Sequence, residues 1–308
     1  MTNAKLPAFI NICEVGPRDG LQNEKKLLST EQKVELIEQA VDAGAKIIEI
    51  GSFVSPKAVP QMADTDKVAL QIRKVDGVEY RVLIFNLRGL ERAEASGLKK
   101  AKLTVSASLS HCLKNMNKTP EQAVASFGDC AEYAARNNIA LSAAISTAFG
   151  CSIDGTVPFA QVASITESLQ KLGISEISLS DTTGMANPLQ VYEYSTRLKS
   201  LFPNVSWVLH FHNTRGLGLA NVLAGMLAGC DTFDACFAGL GGCPFAPGAS
   251  GNIATEDLIN MCDEMNIGTS FNLVKYLDLA RTVEGYFGGS CSSSLLRAGR
   301  ACDLAGRK

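Results

Sequence analysis

His210 and His212 are two of only three histidines in this 308-residue chain. They close the apolar run Ser206-Trp-Val-Leu-His-Phe-His212. In an extended strand residues i and i+2 share a face, so both imidazoles point the same way. Such a pair suits a metal ion; the other reading is a hydrogen-bonded pair in the core. Asp19, in the tight turn Gly16-Pro-Arg-Asp-Gly20, adds a carboxylate, unless it only bonds its own turn backbone as turn aspartates often do. Asn252 can add a carbonyl oxygen. Two nitrogens, a carboxylate and an amide oxygen leave positions open for substrate or water on an octahedral ion. That set favours Mg²⁺ or Mn²⁺ over a closed zinc site.

Other reactive groups lie near these in the sequence. Arg18 precedes Asp19, and a guanidinium there can bind a carboxylate or stabilise an enolate, where a plain surface ion pair is the alternative. Glu49 interrupts the apolar stretch Ile47-Ile-Glu-Ile50, which is costly unless the carboxylate is paired, and Arg18 is its natural partner. Asp181 follows another apolar run. Cys243 stands in Gly239-Leu-Gly-Gly-Cys-Pro-Phe-Ala-Pro-Gly-Ala-Ser-Gly-Asn252, a stretch whose glycines and prolines exclude regular structure and allow close backbone approach. Its thiol is either incidental to a surface loop or placed there for chemistry.

Short β-rich runs alternating with amphipathic helical segments position these groups. Strands are expected at 9–14, 46–50, 80–85, 102–107, 140–145, 176–180, 206–212 and 232–238. Helices are expected between them, including one from a Ser29 or Thr30 cap and one running from a Thr119 cap to about residue 136. Eight βα units fit a closed (β/α)8 TIM barrel. A doubly wound sheet would want Gly-x-Gly-x-x-Gly after the first strand, which Gly16-Pro-Arg-Asp-Gly20 is not. One catalytic domain is expected over 1–308, with the barrel at about 9–265 and helices packed outside it over about 269–308. Active sites of this fold lie at the C-terminal ends of the strands, where the candidates above all fall, and strands one and seven are near neighbours around the ring.

Composition narrows the class. A formal net charge of -2 gives no basic footprint for nucleic acid, and no apolar run is long enough to span a membrane. The first residues lack the apolar core of a signal peptide, so a cytoplasmic enzyme is expected. Ten cysteines without a Cys-x-x-Cys pair are expected to be mostly reduced and buried, with a peripheral redox role conceivable at Cys302.

Taken together, Glu14-Val-Gly-Pro-Arg-Asp-Gly-Leu-Gln-Asn-Glu24, Gly51-Ser-Phe-Val-Ser-Pro-Lys57, Val59-Pro-Gln-Met62, Ser180-Asp-Thr182, His210-Phe-His212 and the 239–252 loop with Ala254-Thr-Glu-Asp257 closely resemble the 3-hydroxy-3-methylglutaryl-CoA lyase family of metal-dependent TIM-barrel lyases and Claisen synthases. The resemblance implies a divalent cation, Mg²⁺ or Mn²⁺, held by Asp19, His210, His212 and Asn252. It implies an enolate-stabilising Arg18, a mobile catalytic thiol at Cys243, and Glu49 and Asp181 completing the site. Gln22 and Ser52 fall within the matching motifs and would contact substrate with Arg18. The implied substrate is an acyl-CoA, cleaved to acetyl-CoA and acetoacetate, and the implied assembly is a homodimer.

The chain departs from the family pattern at Asn213-Thr-Arg215-Gly-Leu217, where Asp-Thr-Tyr-Gly-Gln is common, and at Leu109, where Glu is common. These positions are expected to border the substrate and so leave open the same chemistry on another 3-hydroxyacyl-CoA such as citramalyl-CoA. A Claisen-condensing acyltransferase would carry a Gly-Glu-Arg-Ala-Gly-Asn type loop after strand eight, which is absent here. A non-catalytic scaffold would have no use for the ligand set.

Overall fold

The computed structural model describes residues 6–242 and 251–304. Eight parallel strands close on themselves in sequence order: β1 (Asn11–Glu14), β2 (Ile47–Ser52), β3 (Glu79–Leu83), β4 (Lys100–Ser106), β5 (Ala140–Ser146), β6 (Glu176–Asp181), β7 (Ser206–Phe211) and β8 (Thr232–Ala235). The ring closes where β1 pairs with β8, Cys13 beside Asp234 and Glu14 beside Ala235. This is the expected TIM barrel, with the helices Leu273–Phe287 and Ser294–Ala298 added after it.

Local chemistry explains the main helix starts. Ser29 and Gln32 form a reciprocal capping box at helix Thr30–Asp42, and Thr119 with Gln122 does the same at Pro120–Ala125. The helix expected from Thr119 to about 136 is in fact two, Pro120–Ala125 and Gly128–Arg136. Gly128 lies at the break, a weak helix former beside the fully buried Phe127. A helix that periodicity does not announce, Leu109–Met116, follows β4 and is capped by the Ser108 hydroxyl, which accepts from the His111 amide. Its eight residues are too few to show a repeat.

Two strand ends also differ from expectation, and both differences shape the site. β7 stops at Phe211, and His212 instead bridges to Asn252. β8 stops at Ala235 because residues 237–239 turn sharply, with Ala238 in the left-handed region at φ 54°. After β1 the chain makes a widened helical turn, Gly16–Gly20, in which the amides of Arg18, Asp19 and Gly20 all close on the carbonyl of Val15. Single wide turns of this kind recur at functional sites because they re-aim side chains.

The barrel interior is not the usual stack of branched aliphatics. Its lower layer holds Arg81 and Lys100 paired with Glu176, at 2.8 and 2.7 Å. Above it lies Lys102 with Glu49 and Asp234, at 2.8 and 3.3 Å. The hydrophobic core proper lies between barrel and helices. Seven of the nine described cysteines are buried free thiols, consistent with small apolar core residues; Cys302 is exposed.

Candidate active site

A cavity of about 630 Å³ opens at the C-terminal end of the strands. Arg18, Asp19, Gln22, Ser52, His210 and His212 all line it. The turn after β1 delivers Arg18 and Asp19; β7 and the residue beyond it deliver the two imidazoles. Asp19 Oδ2 lies 3.9 Å from His210 Nε2 and 3.5 Å from His212 Nε2. These three buried residues form a cluster whose ligand atoms lie within 4.8 Å of one another. Asn252 joins them from the far end of the β8 loop, its Nδ2 donating to Asp19 Oδ2 at 2.8 Å and to the Leu240 carbonyl at 3.0 Å. The approach requires glycine at 241: its φ is +106°, and a Cβ there would lie 2.7 Å from Asn252 Nδ2.

The site's electrostatics suit a cation. Burial works to raise the Asp19 pKa, but the Arg18 guanidinium, the hydrogen bond with His212 and both imidazoles hold it well below the ordinary carboxylate range. Asp19 is therefore an anion at neutral pH. Asn252 Oδ1 is buried and has no hydrogen-bond partner among the described residues. A buried carbonyl oxygen left unpaired beside an ionised carboxylate and two imidazoles fits a hard divalent ion, which takes oxygen and nitrogen donors.

Arg18 is fixed on both sides, its Nε donating to Glu49 Oε1 and its Nη1 to Asp19 Oδ1. The expected pairing of Glu49 with Arg18 is thus present. Burial alone would raise the Glu49 pKa, and Arg18 and Lys102 reverse the sign and lower it. Gln22 Nε2 donates to the same Asp19 oxygen, Oδ1, at 2.8 Å, so it orients the carboxylate as well as lining the cavity.

Asp181, like Glu49 and Asn252, is not among the residues lining the cavity, although its neighbours Ser180 and Thr182 are; its Oδ1 accepts the Met185 amide at 2.8 Å. Burial raises its pKa, against the opposing Met185 and Ala186 amides and the histidines. Cys243 lies outside the described residues. Residues absent from the sequence-based set line the cavity too. Lys102 and Asp234 form its floor, Asp234 Oδ2 lying 3.2 Å from His210 Nδ1, and His111 lines its wall. A lysine and an acid inside strand runs were the available signal, legible only once the inward face of each strand was known.

The departures from the family pattern do not border the cavity among the described residues, contrary to expectation. Arg215 donates to the carbonyls of Thr183 and Gly184 at 3.0 and 2.8 Å, holding the loop after β6. Asn213 accepts the Gly218 amide, and Leu109 and Leu217 are 50% and 38% exposed.

Comparison with known proteins agrees with the fold. The HMGL-like family model matches residues 9–283. The hydroxymethylglutaryl-CoA lyase YngG of Bacillus subtilis is 43% identical over 282 residues, 92% of this chain and 94% of the relative. The mitochondrial hydroxymethylglutaryl-CoA lyase of Homo sapiens is 40% identical over 95% of this chain and 90% of its own length. Among solved structures, an HMG-CoA lyase from Acinetobacter baumannii in complex with coenzyme A and 3-methylmalate superposes with a TM-score of 0.92 at 43% identity, covering 99% of this chain and 98% of that one. With a matching barrel, a family model over most of its length and relatives of this closeness, the chain belongs to the HMGL-like family and is a carbon–carbon lyase.

Proposed function

We propose that this lyase cleaves 3-hydroxy-3-methylglutaryl-CoA to acetyl-CoA and acetoacetate, using Mg²⁺ or Mn²⁺ held by Asp19, His210, His212 and Asn252. The observation that carries the reading is the unpaired Asn252 Oδ1 beside the Asp19–His210–His212 cluster, with Arg18 adjoining it in one cavity. A bound cation would act as a Lewis acid and lower the pKa of the substrate's 3-hydroxyl.

The chain's own residues supply the rest. Once the hydroxyl has passed its proton to solvent water in the cavity, the C2–C3 bond breaks and its electron pair passes to C2 and the thioester carbonyl as an enolate. Arg18, held by Glu49 and Asp19, presents a fixed positive charge to that oxygen at no cost of reorganisation. C2 then takes up a proton, a step suited to a thiol such as that of Cys243, because thiols ordinarily titrate near enough to neutral pH to donate. One proton leaves the hydroxyl and one arrives at C2, so the cleavage is proton-neutral.

Mass identification of products from a panel of 3-hydroxyacyl-CoA esters tests the substrate. Equal amounts of acetyl-CoA and acetoacetate from the 3-hydroxy-3-methylglutaryl ester are expected. Faster cleavage of citramalyl-CoA would reassign the acyl group while keeping the reaction.

A further inference from the structure

Lys102 reaches up from β4 into the floor of the cavity, with a side chain only 2% exposed. Its Nζ lies 2.8 Å from Glu49 Oε2 and 3.3 Å from Asp234 Oδ2. Glu49 is fully buried, and its other oxygen, Oε1, accepts from Arg18 Nε. One carboxylate therefore carries one cation on each oxygen. The contact at Oε2 is an ion pair without hydrogen-bond geometry, and no donor makes a hydrogen bond to that oxygen among the described residues.

This arrangement has a mechanical consequence. The terminal torsion of a glutamate is broad, so contacts at both oxygens are what fix the plane of its carboxylate. With Oε2 taken by Lys102, Glu49 offers Arg18 a single oxygen, and Arg18 spends one nitrogen on it. A second nitrogen, Nη1, stays with Asp19 at the cavity wall. A carboxylate with both oxygens free would instead match the guanidinium fork and grip it through two nitrogens.

We propose that Lys102 is a positioning residue for the lyase reaction: by occupying the second oxygen of Glu49, it keeps the Arg18 guanidinium turned to Asp19 and the cavity. The proposal rests on the reading of Arg18 as the group that receives the enolate charge. It accounts for a lysine whose burial works to lower its pKa but which Asp234 and Glu49 keep charged. It also separates two jobs on the cavity floor: Asp234 backs His210, and Glu49 backs Arg18.

The test is a crystal structure of Lys102→Met combined with kinetics normalised to folded protein. Arg18 is expected to leave Asp19 and pair with Glu49 through two nitrogens. The kcat is expected to fall at least ~30-fold, short of the ~10²–10³ that outright loss of one stabilising donor costs. KM should stay within about threefold, because the lost interaction belongs to the transition state. A role in packing alone would lower stability and leave kcat per folded molecule intact. If the single variant does not fold, Lys102→Met/Asp234→Asn removes the unpaired charge and should show the same Arg18 shift, which is read from its crystal structure alone because Asp234 also backs His210. Arg18 unmoved, or kcat within about threefold of the parent, overturns the proposal. A parent that cleaves no 3-hydroxyacyl-CoA refutes the functional reading instead, and the position of Arg18 in the variant still decides this proposal.

Discussion

Asp19 meets two demands that usually conflict. It is 6% exposed, which disfavours its charge, yet the carboxylate role proposed for it needs an anion. Arg18 on one oxygen, with Asn252 and the imidazoles beside the other, resolves the conflict without using the carboxylate's remaining lone pairs. Loss of this residue should therefore act on the metal first. Asp19→Ala is expected to weaken Mn²⁺ binding by at least ~100-fold, read by calorimetry, since even outer-shell changes cost ~10–100-fold. Cys243→Ser should behave oppositely, lowering kcat by ~10²–10⁴-fold, the usual range for a general acid, while Mn²⁺ affinity stays at the parent value. At this scale the sequence was most informative. His210-x-His212 and Arg18-Asp19 announce themselves because few other roles suit those residue types at those spacings. Lys102 and Asp234 did not, because a charge inside a strand run reads the same whether it faces barrel or helix.

The elements matter through the two loops that carry the proposed ligands. Helix Thr255–Glu264 begins just after Asn252, and its Glu256 is buried, accepting the Ala238 amide at 3.2 Å. That bond holds the turn after β8 from below. Burial raises the Glu256 pKa from 4.5 to about 8, assisted by Asp257 and opposed by the Ser293 and Ala238 contacts. Between those two values the folded state binds more protons than the unfolded chain, so stability is full below about pH 4.5 and falls as pH rises towards 8. The expected slope is at most ~1.4 kcal/mol per pH unit from this group. Urea unfolding of Glu256→Gln across that window should show a flatter profile than the parent; an equal slope would mean that Glu256 is already ionised at its foot. Element types were largely readable from the alternation of strand and helix patterns, and capping residues located Thr30–Asp42 and Pro120–Ala125. The short helix Leu109–Met116 and the early end of β8 were not readable, because both depend on packing that brief segments do not encode.

Seen whole, the molecule uses the inside of its barrel for charge and the space outside it for apolar packing. Arg81, Lys100 and Glu176 fill the lower layer, with Lys102, Glu49 and Asp234 above, and the proposed ligands at the mouth. Such a column is stable only while each charge keeps its partner. Arg81→Met, which leaves Glu176 with Lys100 alone, should cost about 3 kcal/mol by chemical denaturation while leaving Mn²⁺ affinity unchanged. A loss of metal binding in that variant would mean that the layers are coupled more tightly than their contacts indicate. The closed barrel was legible from the count of βα units. The charged interior was not, because it depends on which strand residues face inward.

The central claim, that Asp19, His210, His212 and Asn252 hold a divalent cation required for cleavage, is tested most directly by metal titration. Protein stripped by a chelator and then dialysed should not cleave 3-hydroxy-3-methylglutaryl-CoA. Activity should return with Mg²⁺ or Mn²⁺, saturating at one ion per chain. Asp19→Ala should not recover at the metal concentration that saturates the parent. Full turnover by the stripped protein, or by Asp19→Ala at that concentration, would contradict the account.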